Sequence, residues 1–297
     1  PVVTAGRVPS APAVPRVISA SRRGDLPAFH TDWLLAAFAA GAATFPHPYT
    51  RQPLTVALDP ATVLAVVYWS KHPAPLLPHL PGLRERGWPA YLQYTLTPYG
   101  AELEPGVPAR EERLATFAAA ARVVGPELVV WRYDPIVETP ATPWAWHAAQ
   151  FRELAAALAP HTRRVVISFY QGYPRPDRRL ARLGKPWRYL DRGAPRYRPP
   201  ALGQPYTLPE RRERAEELAA LAAAEGLALS VCADAELTAG TTLPAARCID
   251  PDLVTLARGA PVPLPAHPSR PGCGCAASVD IGWYGACGAG CLYCYAG

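Results

Sequence analysis

An α/β fold, arranged as a closed or nearly closed (β/α) barrel, is what this 297-residue chain predicts. Three observations point there. Six short runs rich in Val, Ile and aromatic residues alternate with helical stretches, as parallel strands and crossover helices do. The runs are mostly apolar throughout, which suits strands covered on both faces. No G-x-G-x-x-G fingerprint follows the first run, which removes the main support for an open dinucleotide-binding sheet.

Taken in order, the predicted strands are residues 17–20, 65–69, 91–96, 128–132, 164–169 and 227–232, with a short final one at 278–282. A helix is expected over 32–40, rich in Ala, Leu and Phe. A second, over 111–123, carries Leu114, Phe117, Ala118 and Ala121 on one face. Thr142 followed by Pro143 reads as an N-cap with proline at the first helical position, opening a helix to about residue 158. Thr207 and Glu210 have capping-box spacing for a helix reaching Glu225, with Gly226 closing it.

The domain reading follows from these elements. Residues 1–15 are a flexible leader, and residues 16–297 form one barrel domain. An inserted Pro/Arg/Tyr-rich arm, residues 170–206, shows no periodicity and is long for an internal loop, so it reads as a lid or binding arm. A cysteine-rich segment, 273–297, comes last.

Composition narrows the class. Nearly half the residues are hydrophobic, enough for a sizeable core, and no apolar run reaches the ~18 residues of a membrane span. No basic-then-apolar leader is present, so a cytoplasmic protein without a membrane partner is expected. The net charge of +6 comes from 28 Arg and only 2 Lys, with 37 Pro and no Met. Codon bias explains this usage. An anionic partner is the alternative.

Seven cysteines, an odd number, argue against a closed disulfide framework. Five lie in the last 25 residues. Cys287, Cys291 and Cys294 stand at C-x3-C-x2-C spacing, with Tyr293 just before the third. Three thiolates on one loop can hold three corners of a [4Fe–4S] cube, leaving one iron open. Gly288 and Gly290 let backbone crowd around such a core. A zinc site made of cysteines favours C-x2-C pairs, which fits this spacing poorly. Cys232, Cys248, Cys273 and Cys275 remain. They suffice for a second [4Fe–4S] cluster or a zinc site, and Cys232 and Cys248 are otherwise buried fillers.

The Cys287, Cys291, Tyr293, Cys294 pattern is similar to the cluster signature of radical S-adenosylmethionine enzymes. More closely, the chain resembles an uncharacterised prokaryotic family known only as a domain of unknown function. Its C-terminal cysteines look like the cluster loop that radical S-adenosylmethionine enzymes carry near their N-terminus. The likeness runs from about Val17 to the end, through ISASRRGD at 18–25, WRYDP at 131–135, CID at 248–250 and SVDIG at 278–282. It implies a TIM-like barrel, circularly permuted so that the cluster loop follows the last strand. It also implies S-adenosylmethionine on the open iron, cleaved for radical chemistry, with a reductase as electron donor. The Gly-Gly-Glu-like strand end that grips the methionyl amine in such enzymes is missing, and Arg22, Arg23, Gly24 and Asp25 stand there instead.

Barrel enzymes react at the C-terminal ends of their strands. Polar residues gather at those ends here, and the catalytic candidates are Arg22, Arg23, Asp25, Lys71, Arg132 and Asp134. Arginine's planar fork suits a carboxylate or phosphate, and Asp25 is the stand-in for the amine grip. Arg132 and Asp134 read equally as a structural ion pair. Tyr293 and Tyr295 are placed to stack on an adenine. Two other classes stand beside the enzyme: a non-catalytic iron–sulfur redox or sensor protein, and a nucleic-acid-binding module with a structural cluster. For the last, Trp187, Tyr189 and Tyr197 on the arm are the stacking residues. The substrate, a small molecule or a nucleic acid, is not named by these residues.

Overall fold

The computed structural model describes residues 15–191, 197, 199–267 and 272–297. The expected leader, but for Pro15, lies outside them. The chain opens with β1 (Arg16–Ala20), the short α1 (Leu26–Phe29) and α2 (Thr31–Ala40). A hairpin of β2 (Ala42–Pro46) and β3 (Pro53–Ala57) precedes β4 (Val63–Ser70) and α3 (Leu80–Glu85). Then come β5 (Ala90–Thr95), α4 (Arg110–Val124), β6 (Val129–Ile136), α5 (Trp144–Leu158) and β7 (Arg164–Phe169). The arm holds α6 (Pro174–Ala181), β8 (Trp187–Tyr189) and β9 (Gly203–Pro205). The chain continues through α7 (Leu208–Ala224), β10 (Ala228–Val231), α8 (Ala235–Thr238), α9 (Pro251–Arg258) and β11 (Val279–Asp280).

Seven strands form one parallel sheet in the order β10-β7-β6-β5-β4-β1-β11. The order follows the chain without reversal, except that the last strand lies beside the first. All six predicted long strands and the short final one are present. A closed barrel is not. Among the described residues the sheet ends at β10 and β11, and the reason is local. The outer edge of β10 is taken by an irregular segment, with Val231 N–H donating to Pro244 O at 2.9 Å and Ala246 N–H to Val231 O at 2.8 Å. β11 has only two paired residues, and next to it Ala276 N–H donates to Ile249 O at 2.9 Å.

The two faces of the sheet bury different partners. Ile18, Leu92, Trp131, Ile167 and Val231 face a core completed by Leu34 and Phe38 of α2, Phe117 of α4, Phe151 of α5 and Leu218 of α7. Trp131 stacks on Phe151 with ring centroids 4.9 Å apart. The opposite face buries Val17, Val67, Tyr91, Val130 and Val166 against Leu253 and Val254 of α9. Side chains alternate along a strand, so two residues further on this same face carries Ser19, Trp69, Gln93, Arg132 and Ser168. Apolar packing thus gives way to polar groups at the C-terminal ends.

Two local expectations change. Thr142 does not cap α5: Pro143 holds the N-cap position, and the Thr142 hydroxyl donates to Val137 O at 2.9 Å. The arm is not an aperiodic loop, since α6 and the β8–β9 pair occupy it. The capping box of α7 forms as read, with Thr207 Oγ1 accepting from Glu210 N–H and the Glu210 carboxylate accepting from Thr207 N–H.

His147 of α5 is fully buried, its Nδ1 2.8 Å from the Tyr133 hydroxyl and its Nε2 3.1 Å from Val137 O. Burial holds its pKa down at about 4. A depressed folded-state value means the unfolded chain takes up the proton first. Stability is therefore whole above pH 6.5 and declines as pH falls from 6.5 towards 4, by on the order of 3 kcal/mol. Denaturant midpoints measured from pH 7.5 to 4.5 should fall in the wild type and fall less in His147→Gln. Equal slopes would count against the assignment.

Candidate metal centre

Residues 285–297 lie across the C-terminal ends of the strands, held there by segments that follow β1, β4, β5 and β7. After β1, His30 Nε2 sits 2.7 Å from Ala286 O, and the Tyr295 hydroxyl donates to Arg22 O at 3.1 Å. After β5, Gly106 N–H donates to Ala289 O, and Leu103 O accepts from Leu292 N–H, both at 2.9 Å. A Cβ on Gly106 would lie 2.8 Å from the Gly288 and Ala289 carbonyl oxygens, so only glycine permits this approach. From α6, Arg179 donates Nε–H to Leu292 O at 3.0 Å and Nη2–H to Cys294 O.

Beneath the loop is a buried charged cluster. Glu104 Oε1 accepts from Lys71 Nζ at 2.8 Å, from the Thr97 hydroxyl at 2.5 Å and from the Tyr293 hydroxyl. Glu104 Oε2 lies 3.6 Å from Arg113 Nη1. Burial opposes the charged form of Lys71, but Glu104 and Cys291 outweigh it and raise its pKa.

The three thiols stand within electrostatic reach of one another. Burial pushes Cys291 up to about 12, against the pull of Lys71. Burial also raises Cys287, opposed by N–H groups of Ala289 and Asp25 that donate to its sulfur. Cys294 Sγ accepts from Ala296 N–H at 3.3 Å. Two of the three sulfurs thus receive backbone donors. Among the described residues, no group of three or more His, Cys, Asp or Glu side chains is set to hold a single metal ion.

The other candidates are placed as follows. Arg22 and Arg23 turn to Asp280 of β11, each 3.6 Å from its carboxylate. That carboxylate also accepts from the hydroxyls of Ser19 at 2.8 Å and Ser21 at 2.6 Å, and from Arg22 N–H at 2.9 Å. Asp25 is an N-cap, accepting from Ala28 N–H at 3.1 Å and from Lys71 N–H at 2.7 Å, so it is not poised to grip an amine. Burial raises its pKa against those bonds. Tyr293 is buried with its hydroxyl on Glu104, which corrects its role as a stacking platform. Tyr295 is exposed, its ring 5.4 Å from that of Tyr173.

Arg132 and Asp134 pair directly on the α9-facing side of the sheet, where Ser168 also donates to Asp134. Arg132 further donates to Gln93 Oε1 at 3.3 Å and to Cys248 Sγ at 2.9 Å, and lies over the Trp69 ring. Both arm aromatics Trp187 and Tyr189 are buried, and Tyr197 donates to Asp177. None of these three is an open platform for a base.

Cys232, Cys248 and the Cys273–Cys275 pair come together from three places in the chain. Cys232 and Cys248 have sulfurs 3.7 Å apart, Cys248 contacts Cys275, and Cys275 contacts Cys273. No disulfide joins any of the seven cysteines. Glu104, Arg113, Arg179 and Asp280 were missed in the sequence, since nothing local marks a residue whose partner lies far along the chain.

The molecule is therefore an α/β protein with a seven-stranded parallel sheet and a cysteine loop over its strand ends. Residues 17–296 match the family described as Domain of unknown function (DUF1848), and the chain belongs to that family. No curated protein matches it. Among the described residues no helix is long and apolar enough to cross a membrane.

Proposed function

We propose that Cys287, Cys291 and Cys294 bind a [4Fe–4S] cluster with one open iron, and that the protein is an enzyme of radical S-adenosylmethionine type. The observation that carries this is the loop itself: three thiols at C-x3-C-x-Tyr-C spacing, pinned over the strand ends, two of them receiving backbone N–H groups. Three thiolates on one loop suit three corners of a cube and leave its fourth iron open. When bound, such a cluster supplies one electron to the sulfonium of S-adenosylmethionine. The protein's residues do the rest. Lys71 places positive charge beside Cys291, Arg179 clasps the loop carbonyls, and Glu104 holds Lys71 and Tyr293 in place.

We also read the sheet as a TIM-like barrel opened along one seam, and its chain order as a circular permutation that puts the cluster strand last. The unreversed strand order supports this. A non-catalytic redox protein is the second reading. It is favoured by Asp25, Arg22, Arg23 and Lys71 all being engaged by protein partners.

Anaerobic reconstitution with iron and sulfide tests the proposal. Wild type should take up about four irons at this loop, and the variant with all three cysteines changed to alanine should lose them. Iron undiminished in that variant would overturn the cluster assignment. With S-adenosylmethionine, the reduced protein should show an altered electron paramagnetic resonance signal and release 5′-deoxyadenosine. An unchanged signal with no product would leave the redox reading.

A further inference from the structure

We propose that Cys232, Cys248, Cys273 and Cys275 form a separate site, a tetrahedral four-thiolate site for one zinc ion that staples the open seam of the sheet. The proposal is independent of the cluster reading. A zinc–sulfur bond of about 2.3 Å sets a tetrahedral edge of about 3.8 Å between sulfurs. The Cys232–Cys248 separation is 3.7 Å, and Cys248–Cys275 and Cys275–Cys273 are in contact as well. A [4Fe–4S] core would hold the same sulfurs much further apart. A disulfide needs about 2.05 Å and would use only two of the four.

The surroundings are those of a built site. Cys232, Cys248 and Cys275 are buried, at 6%, 4% and 4% exposure. Cys248 is fixed at its backbone, its carbonyl accepting from the Tyr91 hydroxyl and from Gln93 Nε2, both at 2.8 Å. Ile249 N–H donates to Cys275 Sγ at 3.4 Å. Four thiols binding Zn²⁺ release four protons and leave two net negative charges. Arg132, itself 4% exposed, donates to Cys248 Sγ at 2.9 Å while also pairing with Asp134.

As they stand, no three of these sulfurs converge on one point. Cys273 is the least buried of the four. Binding would draw all four sulfurs onto one centre. The consequence is architectural. Cys232 directly follows β10, Cys248 lies just before Asp250, the N-cap of α9, and Cys273 and Cys275 lead into β11. One ion would therefore add a tie to the backbone hydrogen bonds that run from β10 through residues 244–249 to Ala276.

Cobalt is the probe. In the Cys287→Ala, Cys291→Ala, Cys294→Ala protein these four are the only thiols, so a cobalt signal reports on them alone. One cobalt per chain should bind, with the visible bands and ultraviolet charge transfer of tetrahedral four-sulfur coordination, and one equivalent of zinc should displace it. Adding Cys248→Ser should abolish the four-sulfur spectrum. Arg132→Gln should weaken binding about 10- to 100-fold, as loss of an outer partner does. If the triple variant fails to fold, the same count is made on reconstituted wild type. There Cys248→Ser should take zinc from one per chain to none with the iron of the C-terminal loop unchanged. Absent or octahedral cobalt, a Cys232–Cys248 disulfide in protein purified without oxygen, or extra iron and sulfide lost with Cys248 would each overturn the zinc site.

Discussion

Changing Glu104 to Gln is expected to destabilise the protein by about 3–5 kcal/mol, the usual result of removing one partner from a buried ion pair. Its carboxylate is almost wholly enclosed and faces Lys71, Arg113, Thr97 and Tyr293. Glutamine keeps the volume but loses the charge, and its amide brings a donor to a place already full of donors. Lys71 and Arg113 would then be buried cations without an anion. Lys71 should respond, since burial already pulls its pKa down and only the neighbouring negative groups hold it up. Thermal unfolding should shift downward by roughly 10 °C, and on the proposed cluster reading the loop should lose iron, because Tyr293 loses its anchor. The double variant Glu104→Gln, Lys71→Met should recover part of the loss, a coupling a double-mutant cycle would measure. A change below 1 kcal/mol would mean the cluster is not as enclosed as described.

Asp280→Asn should cost a comparable amount, and its effect should be concentrated at the C-terminus. β11 has two residues and one neighbouring strand. What holds it is a carboxylate that accepts from two hydroxyls and from the N–H groups of Arg22 and Gly282, with two guanidinium groups close by. Hydrogen bonds to a charged group contribute about 1.5–3 kcal/mol each, so losing the charge weakens several at once. Hydrogen exchange should rise across residues 276–297 before it rises in β4 to β7, and iron retention should fall. Uniform exchange across the sheet would show that the segment is held by something else.

Much of the architecture was legible because it rests on local pattern. Six apolar runs gave six strands, and the Thr207–Glu210 spacing gave a real capping box. The β2–β3 hairpin escaped because each strand is short and has a proline at one end, Pro46 and Pro53, which reads as loop. Helix α6 escaped because its residues are mostly Pro, Arg and Asp, with little apolar period to find. Helix α9 was marked by Asp250, whose side chain caps it, and by Pro251 at its start. That signal was overlooked beside Cys248.

At the site, the thiols and the strand-end polar residues could be named from the sequence, but their partners could not. Arg22 and Arg23 looked like an anion clamp until the structure supplied the internal anion, Asp280, more than 250 residues away. Asp25 looked like an amine grip until its oxygens were found on two backbone N–H groups. Burial decides such cases, and a side chain's burial depends on elements no local window contains.

The contact between Ser19 and Asp280 spans 261 residues. Joining points that distant adds only modestly to the entropy of closure, yet topologies rich in remote pairings fold slowly. A ribosome delivers β1 long before its neighbour on this edge exists, so that flank of the sheet stays unzipped until the residues between them have been made. A chain in which Ser19 and Asp280 have not yet met should therefore be cut by proteases along this edge while the central strands stay protected.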